Sequence, residues 1–163
     1  MKKLLLILAA ILILPIQTAF ASSLPVTDSS LQDLVDRFNR VIADEDFANS
    51  VEFVGIEEGD GLKIHVYKRA DSKINFAMNQ DGKIDHITLV FQRDSEEAST
   101  LSGESMGILL ALIGVSSDEV DQLLVDAGES ANVWCSATNR RIVIDGSDDN
   151  SGFCFMTIAA EDR

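Results

Sequence analysis

The chain has 163 residues, with 27 Asp and Glu against 13 Lys and Arg, a formal charge of -14 and an apolar share of 46%. That excess of carboxylates excludes a surface of clustered Lys and Arg for a phosphate backbone, and with it a nucleic-acid role. It repels anionic membranes and favours basic partners, and it also keeps a small protein soluble.

Residues 1–21 have the pattern of a bacterial-type secretory signal peptide. Lys2 and Lys3 give the positive start, Leu4 to Leu14 the apolar run, and Ala19-Phe20-Ala21 the small-x-small cleavage site. Eleven apolar residues before Pro15 fall short of the about 20 that span a bilayer, so cleavage after Ala21 and no membrane anchor are expected. No cysteine follows the cleavage site to carry a lipid. The expected destination is the periplasm or the medium, and residues 22–163 are long enough for one domain.

Past a polar leader, Ser29 or Ser30 is placed to cap a first helix. Leu31, Leu34, Val35, Phe38, Val41 and Ile42 follow helical spacing, with polar residues between them. Asp44-Glu45-Asp46 then sets three acids beside the negative end of the helix dipole, which reads as a solvated turn.

Four strands are predicted at 51–56, 62–68, 73–78 and 84–92. The turns between them are rich in Gly, Asp, Asn and Ser, which implies an antiparallel meander. In the second strand Leu62, Ile64 and Val66 alternate with Lys63, His65, Tyr67 and Arg69. The first set is expected to face the core and the second to form a basic and aromatic stripe on the solvated face, a candidate binding surface. His65 and His86 are the only histidines; without neighbouring ligands of suitable spacing they make no metal site.

The stretch from Leu101 to Gly114 is apolar at helical spacing, and Gly114 is its natural stop. Ser116 and Glu119 form a capping-box pattern for a second helix that starts near Ser117 and closes at Gly128. Gly103-Glu104-Ser105-Met106-Gly107 matches the G-x-S-x-G pattern of serine hydrolases. The polar segment 93–102 is no buried strand, however, and both histidines precede the serine, so small residues for a helix start and a close-packed face explain the match better.

Three last strands are predicted at 132–137, 141–145 and 153–159. The loop from Asp145 to Gly152, with Asp148 and Asp149, has the composition of a calcium loop, but Asn150 and Met156 stand where an EF-hand needs Gly and Glu. Cys135 and Cys154 are the only cysteines, and in an exported chain a disulfide between them is expected, worth on the order of 3 kcal/mol. A plain meander would set a strand between them, so the bridge requires either non-sequential strand order or Cys135 outside regular pairing. Trp134, Phe153, Phe155 and Met156 are expected to gather around it.

The expected fold is α+β, with antiparallel sheet, an N-terminal helix and a central helix pair in the order α-ββββ-αα-βββ. Both halves run helix then meander, though no residue pattern repeats. The function these features point to is a non-enzymatic, exported protein-binding module, of inhibitor or immunity type, acting on a basic partner and needing no cofactor or metal. Candidate binding residues are Lys63, His65, Tyr67, Arg69, Trp134, Asp148 and Asp149; no catalytic set is identified. The charge count makes the C-terminal half the expected docking surface, since no lysine follows Lys83. The alternatives are a small exported hydrolase using Ser105 or a carboxylate pair, and an accessory subunit of an envelope assembly.

Overall fold

A computed structural model describes residues 24–59, 61–116, 119, 131–135, 137–148 and 152–161. The order is helix α1 (Leu31–Asp44), strands β1 (Glu52–Gly59), β2 (Leu62–Arg69), β3 (Ser72–Met78) and β4 (Ile84–Gln92), helix α2 (Glu96–Ile113), then strands β5 (Ala131–Cys135), β6 (Arg140–Asp148) and β7 (Phe153–Glu161). The seven strands form one antiparallel sheet in the order β1-β2-β3-β4-β7-β6-β5. Each half is a sequential meander, and the last strands of the two, β4 and β7, pair at the join.

Ser30 caps α1 by accepting a hydrogen bond from the Asp33 amide. Leu34, Val35, Phe38 and Ile42 are buried along one face, each worth about 1.5–3 kcal/mol of transfer from water. The helix ends in a left-handed closure: Asp46 sits at φ 55°, and the Phe47 amide reaches back to Ile42 O at 2.9 Å. Aspartate tolerates that backbone, which accounts for an acid at a position usually held by glycine.

The second helix, α2, starts at Glu96 rather than Leu101. Ser95 caps it by accepting from the Ala98 amide, and Glu96 and Glu97 lie in the first turn, where the dipole favours negative charge. Most of the polar segment 93–102 is thus helical, and it offered little apolar periodicity to show it because burial begins only at Ala98 and Leu101. Gly114, at φ 99°, closes the helix as expected, with the Val115 amide bonded to Leu110 O at 3.0 Å. The partner helix expected from Ser117 to Gly128 lies outside the described residues except for Glu119. That carboxylate accepts from both the hydroxyl and the amide of Ser116, bonds that hold it below the usual carboxylate range.

Both helices lie on one side of the sheet. The core joins Leu34, Phe38 and Ile42 of α1 and Met106, Leu109, Leu110 and Ile113 of α2 to Tyr67, Ile74, Phe76, Ile87, Leu89, Ile144 and Ile158 of the sheet. The leader crosses the same core. Val26 is fully buried and donates its amide to Ile84 O, and Asp28 lies 2.8 Å from Arg140 on β6. That hydrogen bond and the guanidinium charge hold the Asp28 carboxyl below its ordinary range.

The two cysteines are free thiols. Cys135 is paired with Arg140 at the start of β6, and Cys154 with Asp148 at its end. The length of β6 lies between them, roughly 25 Å at about 3.3 Å per residue, where a disulfide needs alpha carbons within about 7 Å. The strands are sequential and both cysteines sit in regular pairing, so neither condition for a bridge is met. Trp134, opposite Arg141, and Phe153, opposite Gln92, are likewise at opposite ends of the sheet and form no common cluster.

Candidate functional site

Alternation in β2 is as expected, but its two faces are exchanged. Tyr67 pairs with Ile74 and Arg69 with Ser72, so Lys63, His65, Tyr67 and Arg69 point to the helix side. Tyr67 is 7% exposed and Arg69 is 0% exposed, while Lys63 is exposed and His65 half-buried where the helices no longer reach. Val66, on the opposite face, is buried as well. The stripe is therefore not a solvated surface.

Arg69 is the anchor of this region. Its Nε donates to Asn49 O (2.9 Å), Nη1 to Leu101 O and Ser105 Oγ (both 3.1 Å), and Nη2 to Ala48 O and Glu104 Oε2 (both 2.9 Å). A guanidinium has five N–H donors, and these bonds use all five, which is what permits a full charge in a buried place. Ser105 is held in the same network. It accepts from Arg69 and donates to Leu101 O at 2.6 Å, and it is 1% exposed. Its hydroxyl is occupied and enclosed, which is the opposite of a nucleophile raised on an elbow. The small-residue face is only partly close-packed, since a Cβ added at Gly103 meets nothing within 4 Å.

By gripping Ala48 and Asn49, Arg69 fixes the loop between α1 and β1. Asn39 of α1 grips it again, accepting from the Val51 amide at 2.8 Å and donating to Val51 O at 3.3 Å, so one side chain imitates a strand neighbour. What this framework presents is β1, at the edge of the sheet, with β2 as its one partner strand among the described residues. Phe53 is 56% exposed, Val54 57% and Ile56 55%, with Phe47 beside the strand start also exposed. Large apolar side chains left in water on an unpaired edge are uncommon in a monomer and mark an interaction surface. Phe53 is nevertheless ordered by an aromatic row: its ring centroid is 5.4 Å from Tyr67, which is 5.5 Å from Phe76, both edge-to-face. Burial, and then the Asp36 carboxylate, push the Tyr67 phenol up.

The charge along this edge is negative. Glu52, Glu57 and Glu58 are exposed on β1, and Asp44, Glu45 and Asp46 at the end of α1. Across the strand pair Glu52 faces Lys68, at 3.9 Å and in solvent, a contact worth little, and Glu58 faces Lys63. A β-bulge at Val54 separates the strand start from a regular run, Gly55 to Gly59, that pairs residue for residue with β2.

Other expected sites fall elsewhere. His65 is paired with Phe76 on the helix side, and His86 with Ala77 on the opposite side, so the two histidines do not meet. A second bulge makes Asp85 the extra residue opposite Ala77 and Met78 and sets its carboxylate 2.8 Å from His86 Nδ1. Among the described residues no group of three side chains is arranged to hold a metal. Trp134 is half-buried on β5, facing away from the helices; Asp148 ends β6, and Asp149 lies outside the described residues. No helix among the described residues is long and apolar enough to cross a membrane.

Phe47, Phe53, Val54 and Ile56 are the residues that reading the sequence missed. A signal was present in Gly55, a glycine inside a strand pattern, which marks a bulge or a close backbone approach. Compared with known proteins, the chain matches no family model, no curated protein and no solved structure.

Proposed function

We propose that the chain is an exported, non-enzymatic protein-binding module that docks a basic partner along β1. The observation that carries this reading is the unpaired edge strand on which Phe53, Val54 and Ile56 stand in water between Glu52, Glu57 and Glu58. Apolar anchors supply affinity once covered, and the carboxylates select and steer a cationic surface. The signal-peptide pattern of residues 1–21 supports delivery outside the cytoplasm, where cationic secreted or envelope proteins are available as partners. This reading moves the docking surface from the C-terminal half, where the charge count placed it, to the first strand. The hydrolase alternative finds no support at Ser105, whose hydroxyl is bonded on both sides inside the core.

The test is calorimetric titration of residues 22–163 with a panel of cationic secreted proteins at low and at high salt. Binding that weakens steeply with salt and is lost in the Phe53→Ser, Ile56→Ser double variant supports the reading. Absence of binding at low salt, or binding unaffected by both salt and the double variant, contradicts it.

A further inference from the structure

The mode of docking, and the chemical class of segment docked, follow from which way each residue of β1 points; this step rests on the basic-partner reading above. We infer that β1 is a strand-addition site, which takes an extended segment of the partner, with basic and apolar residues in alternation, as a further strand of the sheet.

Cross-strand partners share a face, and β2 supplies the reference because Tyr67 and Arg69 point to the helices. Phe53 opposite Tyr67 and Ile56 opposite His65 are therefore on the helix side. Glu52 opposite Lys68 and Glu57 opposite Ile64 are on the other side. An added strand would lay every second side chain over Phe53 and Ile56, extending the aromatic row that runs through Tyr67. The intervening side chains would fall beside Glu52 and Glu57. Apolar over Phe53 and Ile56 and cationic beside Glu52 and Glu57 is thus the complement of this edge, with Glu58, opposite Lys63 on the helix side, lying beyond the apolar pair.

Gly55 is an independent pointer. It lies inside a strand, where glycine costs about 0.5–1 kcal/mol relative to alanine, yet its φ is not in the left-handed region and an added Cβ meets nothing within 4 Å. Packing within this chain does not call for a glycine there, so the reasons left are the bulge at the preceding Val54 and close approach of another backbone to this edge.

A second copy of the chain is the wrong occupant. Antiparallel self-pairing of the regular run Gly55 to Gly59, centred on Glu57, places Glu57 across from its own copy and Ile56 across from Glu58, and parallel in-register pairing stacks each glutamate on its own copy; directly opposed like charges destabilise a pair. Natural edges are commonly guarded by charges. Here the guard is anionic, so it rejects copies of itself and admits a cationic strand.

The experiment uses residues 22–163 and an eight-residue peptide of alternating Lys and Val, followed by fluorescence anisotropy at low salt. Two further versions carry N-methyl groups on alternate residues, one in each frame, so that charge and side chains are kept while one or the other edge of the peptide loses its N–H donors. Strand addition predicts that one frame weakens binding by more than about tenfold and the other leaves it nearly unchanged. It also predicts that Gly55→Val abolishes binding while the domain stays folded by circular dichroism. If the parent peptide binds but the two methylated frames respond equally, or Gly55→Val binds as well as the native chain, strand addition is overturned and docking to a basic partner survives. If the parent peptide does not bind at low salt, the basic-partner reading fails and this inference fails with it.

Discussion

Arg69 and Glu104 are joined at 2.9 Å, and the contact ties the end of β2 to the middle of α2 through a guanidinium that solvent does not reach. The same side chain holds the carbonyls of Ala48 and Asn49, so the position of the β1 edge depends on it. Replacing Arg69 by Met removes a charge that five acceptors were arranged around and breaks all five bonds at once, although Leu101 O keeps the Ser105 hydroxyl as a donor. The expected loss is about 3–5 kcal/mol in urea unfolding. Arg69→Lys recovers only part of it, because an ammonium has three donors and no planar fork. A loss under about 1 kcal/mol for either variant contradicts the role assigned to this network.

Tyr67 is the only tyrosine, so phenolate absorbance reports this one ring. Its pKa is raised by burial and by Asp36, which means that the folded state holds the proton more tightly than the unfolded one. The stability it contributes is complete below the unfolded phenol pKa of about 10 and is lost as pH rises through the raised value. An alkaline titration is expected to show ionisation above about 10, accompanied by falling stability, and Tyr67→Phe is expected to remove that part of the alkaline decline. Titration at the ordinary value would show that the ring is open to water.

Two glycines of the α2 region are expected to respond in opposite ways. Gly103 is inside the helix with open space around it, so Gly103→Ala stabilises by about 0.5–1 kcal/mol. Gly114 sits at φ 99°, and an added Cβ would come 2.7 Å from Cβ of Ala137, so Gly114→Ala destabilises by more than about 1 kcal/mol. Thermal melting of both variants separates them, and shifts of the same sign would contradict the placement of the helix end.

The free thiols lead to a direct count. Denatured, unreduced protein recovered from an oxidising compartment is expected to react with two equivalents of a thiol reagent, since Cys135 and Cys154 occupy opposite ends of β6. A free-thiol count of zero before reduction, in a monomer, would require a different pairing of β5 with β6.

Much of the architecture was legible because its signals are local. Turn residues bound β2, β3 and β4 closely, Ser30 and Gly114 act as the caps they resemble, and alternation in β2 correctly groups the residues that share a face. Which face the helices would cover was not legible. Alternation is symmetric until something packs on it, and in β2 both Val66 and Tyr67 are buried, so hydrophobicity does not choose. Arg69 read as a surface residue because burial of a charge depends on carbonyls from distant segments, which only the folded chain brings together. The β1 edge was invisible for a related reason. Its sequence is that of an ordinary half-apolar strand, and its exposure comes from standing last in the sheet order. The disulfide expectation came from compartment and cysteine number, and neither carries information on strand register.

Recognition of a basic, extended partner is the role proposed for β1. The most direct measurement is the affinity of residues 22–163 for the alternating Lys and Val peptide as a function of salt, for the native chain and for the Glu52→Gln, Glu57→Gln double variant. Salt-sensitive binding is expected, weakened by more than about tenfold in the double variant without loss of fold. Equal affinity of the two proteins across the salt range would contradict it.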